Sequence, residues 1–133
     1  MKNLLLIFIF ATFSFSSELN TYLSNLKKEA TKENPNFKEF NIKRGEGIFT
    51  SKHIGKKGKK IACTSCHGID LTKKSENYFT AKEIEPLSKK VKPTRLTDVK
   101  KVKKWLRRNF KDVYNRVGTA QEKGDVLVYI LNK

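Results

Sequence analysis

Hydrophobic positions recur at helical spacing in four stretches of this 133-residue chain and alternate like a strand in none. In the first stretch, about Glu18 to Glu33, the residues Leu19, Tyr22, Leu23, Leu26 and Ala30 make one apolar stripe, and Pro35 limits it on the C-terminal side. A second helix is expected to open at Asn41, a favoured N-cap residue type, with Ile42, Gly45, Ile48 and Phe49 on one side. Gly45 costs helix stability, so its presence asks for a reason, such as the close approach of another helix. The third helix is expected from Thr97 or Asp98 to about Asn115. Val99, Val102, Trp105, Leu106, Phe110 and Val113 form its stripe, and Lys100, Lys101, Lys103, Lys104, Arg107 and Arg108 fill the remaining surface. Asn109 interrupts the apolar pattern between Leu106 and Val113. The fourth helix opens with Thr119-Ala120-Gln121-Glu122, a capping-box pattern, and continues through Val126, Leu127, Tyr129, Ile130 and Leu131. With no alternation and no internal repeat, the predicted fold class is all-α.

Two connections carry no period. Residues 51–62 form a Gly/Lys-rich loop. The stretch from Gly68 to about Lys92 contains Pro86 and is closed by Pro93. A structureless loop of that length is uncommon unless it is functional.

The N-terminus changes the picture of where the chain works. Lys2, an apolar run from Leu4 to Phe15 and a small-x-small site at Ser14-Phe15-Ser16 read as a cleavable signal peptide over residues 1–16. The run is shorter than the roughly 18 residues that a membrane span needs. The expected mature protein is a single exported, periplasmic domain over residues 17–133, with an extra N-terminal helix.

Charge narrows the partners. The chain carries 29 Lys and Arg against 13 Asp and Glu, a formal net charge of +16. Outside the cytoplasm nucleic acid is excluded as the expected partner. An acidic redox protein or an anionic membrane surface suits the charge.

The candidate chemistry lies between the second and third helices. Cys63-Thr64-Ser65-Cys66-His67 has the C-x-x-C-H form of a c-type haem attachment site. Cys63 and Cys66 would carry the thioether links of one covalent haem c, and His67 would be the proximal iron ligand. Two other chemistries use the same residues. A thioredoxin-like dithiol needs a βαβ context, which is missing. A zinc site would have to draw on Cys63, Cys66, His67 and His53, and adjacent Cys66 and His67 strain a shared tetrahedron. The sixth ligand is open. Met1 is the sole methionine, so His/Met ligation is unavailable after processing. His53, a desolvated lysine amine and Asn109 remain. Asn109 is a polar amide on an apolar stripe, which needs a partner or suffers a burial penalty of about 1–3 kcal/mol.

From Arg44 to Leu131 the sequence resembles the high-spin cytochrome c family typified by the sphaeroides haem protein, together with a related domain group of unknown function. The matching pieces are Arg44-Gly45 with Phe49, Cys63-x-x-Cys66-His67, Lys82-x-Ile84-x-Pro86-Leu87 and Pro93-x-Arg95-Leu96-Thr97-Asp98. The most specific is Val102-x-Lys104-Trp105-Leu106-x-Arg108-Asn109, followed by Glu122-Lys123-Gly124-Asp125. The resemblance implies a class I cytochrome c-like fold around one haem. It implies that Asn109 is a weak sixth ligand which leaves the iron on reduction, so that the open site can bind O₂ or NO. It places Gly45 and Phe49 against Tyr129 where the terminal helices cross. Arg95 is then a candidate for pairing with a haem propionate, and Trp105 for packing against the porphyrin. One departure stands out. Family members have a cysteine after the asparagine and another a few residues on, joined in a disulfide, whereas Phe110 follows Asn109 and no cysteine occurs after Cys66.

The expected function is that of a mono-haem electron carrier with a weakly ligated iron, or else a diatomic-binding or sensing protein with no carrier role. A third, weaker reading is a haem enzyme acting on a small oxidant, for which no distal acid–base pair is visible in the sequence.

Overall fold

The computed structural model describes residues 17–133; the expected signal segment, residues 1–16, lies outside the described residues. Helices dominate: α1 Ser17–Glu33, α2 Ile42–Thr50, the single turn α3 Thr64–His67, α4 Val99–Tyr114 and α5 Ala120–Leu131. Their starts follow from their caps. The Asn41 side chain accepts the Arg44 N–H at 2.9 Å, and the Asp98 carboxylate accepts the Lys101 N–H at 3.0 Å. Thr119 and Glu122 form the reciprocal capping box, with N–H donations at 3.1 and 2.8 Å. Each such cap is worth about 1 kcal/mol. Helix α4 ends on Asn115, whose left-handed φ of 54° is a conformation that asparagine tolerates.

The crossing of α2 and α5 explains Gly45. A Cβ on that residue would fall on the Asp125 carbonyl oxygen and 2.8 Å from the Tyr129 Cβ. The helices therefore touch backbone to backbone, and Phe49 packs on Tyr129 with ring centroids 5.3 Å apart. Beside the crossing, the buried Asp125 carboxylate accepts from the Asn41 N–H at 2.7 Å and from Arg44 Nε at 2.8 Å and Nη2 at 3.1 Å. Every lone pair that matters there is answered, which is the condition for tolerating a buried charge. Helix α1 lays Leu19, Leu26 and Ala30 into the same core, against α5 and α4.

The connections are more ordered than their sequence suggests. Strand β1 (His53–Ile54) pairs antiparallel with β2 (Lys60–Ile61) across a 3-10 turn at Lys56–Gly58. Strand β3 (Ser75–Glu76) pairs with β4 (Glu83–Ile84). Two-residue strands are too short for alternation to register, and the fold class stays all-α. The expected structureless stretch after Gly68 is pinned at several points. Leu71 and Ser88 are buried, the Ser88 N–H donates to the Leu71 carbonyl, and Ser88 Oγ donates to the carbonyl of Lys133 at 2.6 Å. Arg95 Nε and Nη2 donate to the Pro86 and Glu85 carbonyls, both at 2.6 Å.

Candidate haem-binding site

Helix α3 with its N-cap Cys63 is the Cys63-Thr64-Ser65-Cys66-His67 motif. Cys63 sits at its N-cap in helical conformation, so the thiols of Cys63 and Cys66, three residues apart, project from the same side of one turn. Ser65 Oγ accepts the Ala62 N–H at 3.0 Å, and Gly68 ends the turn at φ 70°. Both cysteines are free and half-buried. Burial, reinforced by the neighbouring Cys66, pushes the Cys63 thiol up to about 12. A redox-active dithiol needs the opposite shift, so the thioredoxin-like chemistry does not fit. Among the described residues no three His, Cys, Asp or Glu side chains come together as a metal-holding group.

His67 follows the second thiol. Its Nδ1 is closed off from solvent and has no hydrogen-bond partner. An orphaned ring nitrogen of that kind is costly unless something outside the chain engages the imidazole. Burial first, and the nearby Arg95 charge second, push the ring down to about 4, so it is neutral at ordinary pH, the form that binds a metal. The Phe49 ring lies 5.9 Å from the imidazole, which ties the motif to the α2–α5 crossing.

Helix α4 brings the other candidates. Val102, Leu106, Phe110 and Val113 form its buried stripe. Trp105 and Asn109, four residues apart, share the flank beside that stripe. Trp105 is 50% exposed. It is therefore not a core residue, contrary to its place in the predicted stripe, because it sits at the stripe's edge where no protein group covers it. Lys104 Nζ and the Arg108 guanidinium lie 5.5 and 5.6 Å from its ring. Asn109 is half-buried, and among the described residues no group hydrogen-bonds its amide. Arg95 uses Nε and Nη2 on the 85–86 backbone, while Nη1 takes no protein acceptor among the described residues. His53 is placed in β1, two residues' pairing away from the motif, and its ring stacks on Tyr114 at 4.1 Å.

These donor sets fit a haem: two free thiols on one turn, a neutral imidazole with an orphaned nitrogen, an uncovered Trp and an amide that no protein group among the described residues engages. Sequence inspection missed two supports. The Tyr78 N–H donates to Cys66 Sγ at 3.3 Å, and Tyr114 donates its hydroxyl to the Ile48 carbonyl at 2.7 Å while bearing His53. Both tyrosines act through tertiary contacts that leave no mark in local spacing.

A family model described as Domain of unknown function (DUF1924) matches residues 35–130. The chain belongs to this family. It is 41% identical over 87 residues to the cytochrome c-type protein SHP of Cereibacter sphaeroides, spanning 65% of this chain and 67% of that protein. It is 31% identical over 100 residues to cytochrome c'' of Methylophilus methylotrophus, spanning 75% and 69%. Among solved structures, oxidized SHP, described as an oxygen binding cytochrome c, superposes with a TM-score of 0.75 at 32% identity, covering 86% of this chain and 96% of that one. Oxidized cytochrome c'' superposes with a TM-score of 0.77 at 27% identity, covering 88% and 95%. The family member is thus a relative of high-spin c-type cytochromes, with the class I-like helical fold expected from its sequence.

Proposed function

We propose that this family member is a periplasmic mono-haem c-type cytochrome that carries electrons and whose iron has a weakly held sixth position open to O₂ or NO. Cys63 and Cys66 would hold the haem covalently and His67 would ligate its iron. Bound there, haem iron supplies a one-electron couple and a coordination site for a diatomic. The single observation that carries the reading is the orphaned His67 nitrogen on the same turn as two free thiols, with the Asn109 amide of α4 left without a protein partner among the described residues.

The chain's own residues define how the site works. Helix α3 fixes the two thiols and the imidazole on one turn. Burial keeps His67 neutral, so no proton has to leave before it ligates. Asn109 offers a neutral amide oxygen, a weaker donor than imidazole or thiolate, and therefore a displaceable one. Trp105, half-exposed one turn from Asn109 on the same helix, would offer its ring to the porphyrin, and Arg95, locked onto the 85–86 carbonyls, keeps Nη1 for a propionate. We read the protein as a carrier and binder and not as an enzyme. The basic surface matches an acidic redox protein or an anionic membrane surface.

A second reading, diatomic binding or sensing without a carrier role, is favoured by the same unpartnered amide and by the oxygen binding named for SHP. Paired ferric and ferrous absorption spectra of the matured protein, with and without carbon monoxide, test both. A high-spin ferrous spectrum that shifts with carbon monoxide is expected. A low-spin spectrum in both states, indifferent to carbon monoxide, would remove the open site and leave plain electron transfer.

A further inference from the structure

We propose that the outward face of α4 is the docking surface for the carboxylate-bearing face of an acidic redox protein, with Trp105 and Asn109 at its edge; this rests on the haem reading above. Lys100, Lys101, Lys103, Lys104, Arg107, Arg108 and Lys111 all belong to α4, against a single acid, Asp112. At helical spacing they cover an arc of roughly 160° on the side away from the buried stripe. Glu18 of α1 lines a shallow cleft with Lys100 and Lys103 without an ion pair to either, while the acid on α4 and the acid at its cap are already committed. Asp98 pairs with Lys101 at 3.5 Å, and Asp112 pairs with Lys56 at 3.4 Å. Among the described residues Lys100, Arg107 and Lys111 have no carboxylate partner. These three lie at the centre of the arc.

Several of the cations are pre-positioned. Lys103 Nζ rests 4.9 Å from the Tyr22 ring, and Lys104 and Arg108 hold to Trp105. Side chains already ordered lose less entropy when a partner arrives. Arg and Trp at the centre and edge of a charged patch are the residue types that concentrate binding energy. The geometry also selects between partners. A membrane-surface helix must bury an apolar stripe in lipid, but Val102, Leu106, Phe110 and Val113 are committed to the core. Trp105 alone cannot replace them. A protein face of fixed carboxylates matches a fixed cation array, and docking there places the partner beside the flank that bears Asn109.

The test is an NMR titration of ¹⁵N-labelled holoprotein with oxidised flavodoxin, an acidic one-electron carrier, at low ionic strength. Amide shifts are expected to concentrate in 99–112 and on the Trp105 indole N–H. The triple variant Lys100→Glu, Arg107→Glu, Lys111→Glu should weaken binding about tenfold or more, while Lys27→Glu, Lys28→Glu, Lys32→Glu on α1, an equal change of net charge, should weaken it about threefold or less. Shifts centred on α1 or on 56–60, or equal losses for the two variants, overturn the proposal. So does binding to phosphatidylglycerol vesicles that the α4 variant abolishes while flavodoxin binding stays unchanged. A sample lacking porphyrin mass overturns the haem reading and the proposal together; a haem-bearing sample with shifts elsewhere overturns the proposal alone.

Discussion

His53 stacks on Tyr114 with ring centroids 4.1 Å apart, so the second histidine of the chain is engaged by an aromatic ring of α4. Asn109, on the same helix, has an amide that no protein group among the described residues satisfies. These two of the three candidates for the sixth ligand thus differ in what they would give up. His53→Ala is expected to leave the ferric and ferrous spectra as they are. Asn109→Ala should retain covalent haem and change the ferric spectrum. An altered ferric spectrum in the His53 variant together with an unaltered one in the Asn109 variant would reverse the assignment.

Gly45 and Gly47 lie two residues apart in one helix and should respond in opposite directions. At Gly45 a methyl group meets the Asp125 backbone, while at Gly47 nothing lies within 4 Å. Gly45→Ala therefore overpacks the α2–α5 crossing at a net cost of about 1–3 kcal/mol. Gly47→Ala gains helix propensity with no clash, about 0.5–1 kcal/mol. Thermal melts of the two holoprotein variants check this; a stabilised Gly45→Ala protein would mean that the helices are farther apart than described.

The scaffold was legible where local rules set the structure. Asn41, Asp98 and Thr119 cap their helices from the sequence positions expected of them, because capping needs only neighbours within the same turn. Gly45 also reported its crossing, since a glycine that costs helix stability has few other uses. The C-x-x-C-H turn stood out for a similar reason: its three chemical groups are packed into five residues. What escaped was tertiary. The hairpins at 53–61 and 75–84 rest on two-residue pairings, and the order of the stretch after Gly68 comes from Ser88 and Arg95 reaching distant carbonyls. Trp105 matched the apolar period yet lies half-exposed, because periodicity gives a residue's angle on the helix and not what stands opposite it.

The start of α5 should be sensitive to acid. Arg116, through its side-chain hydrogen bonds, holds the Glu122 carboxyl below the usual carboxylate range, helped by the Thr119 N–H. A carboxyl depressed in the folded state adds stability above its unfolded pKa of about 4.3 and loses it as pH falls through the lower folded value. Glu122→Gln should thus melt below wild type at neutral pH, and the gap should close as the pH falls from about 5 toward 3. A gap that is constant across that range would show that the charge of Glu122 contributes nothing and that only its hydrogen bonds matter.

The thiols give the last prediction. In the folded chain without haem, burial keeps Cys63 protonated, with its pKa pushed up to about 12, and thiolate is the reactive form. Protein made without haem maturation should therefore alkylate slowly at Cys63 while folded, even at mildly alkaline pH, and fully once unfolded in urea. On the proposed haem reading, both sulfurs of the matured protein would be occupied by thioether links, which unfolding does not break. Maleimide in urea should then label neither cysteine, and the intact mass should include one porphyrin. Cys63→Ser and Cys66→Ser should each keep one link and lose the other, whereas His67→Ala should spare both sulfurs as attachment atoms and alter the spectrum of whatever haem remains. Two labelled cysteines in unfolded, matured protein would contradict covalent attachment outright, whatever the spectrum of the folded form.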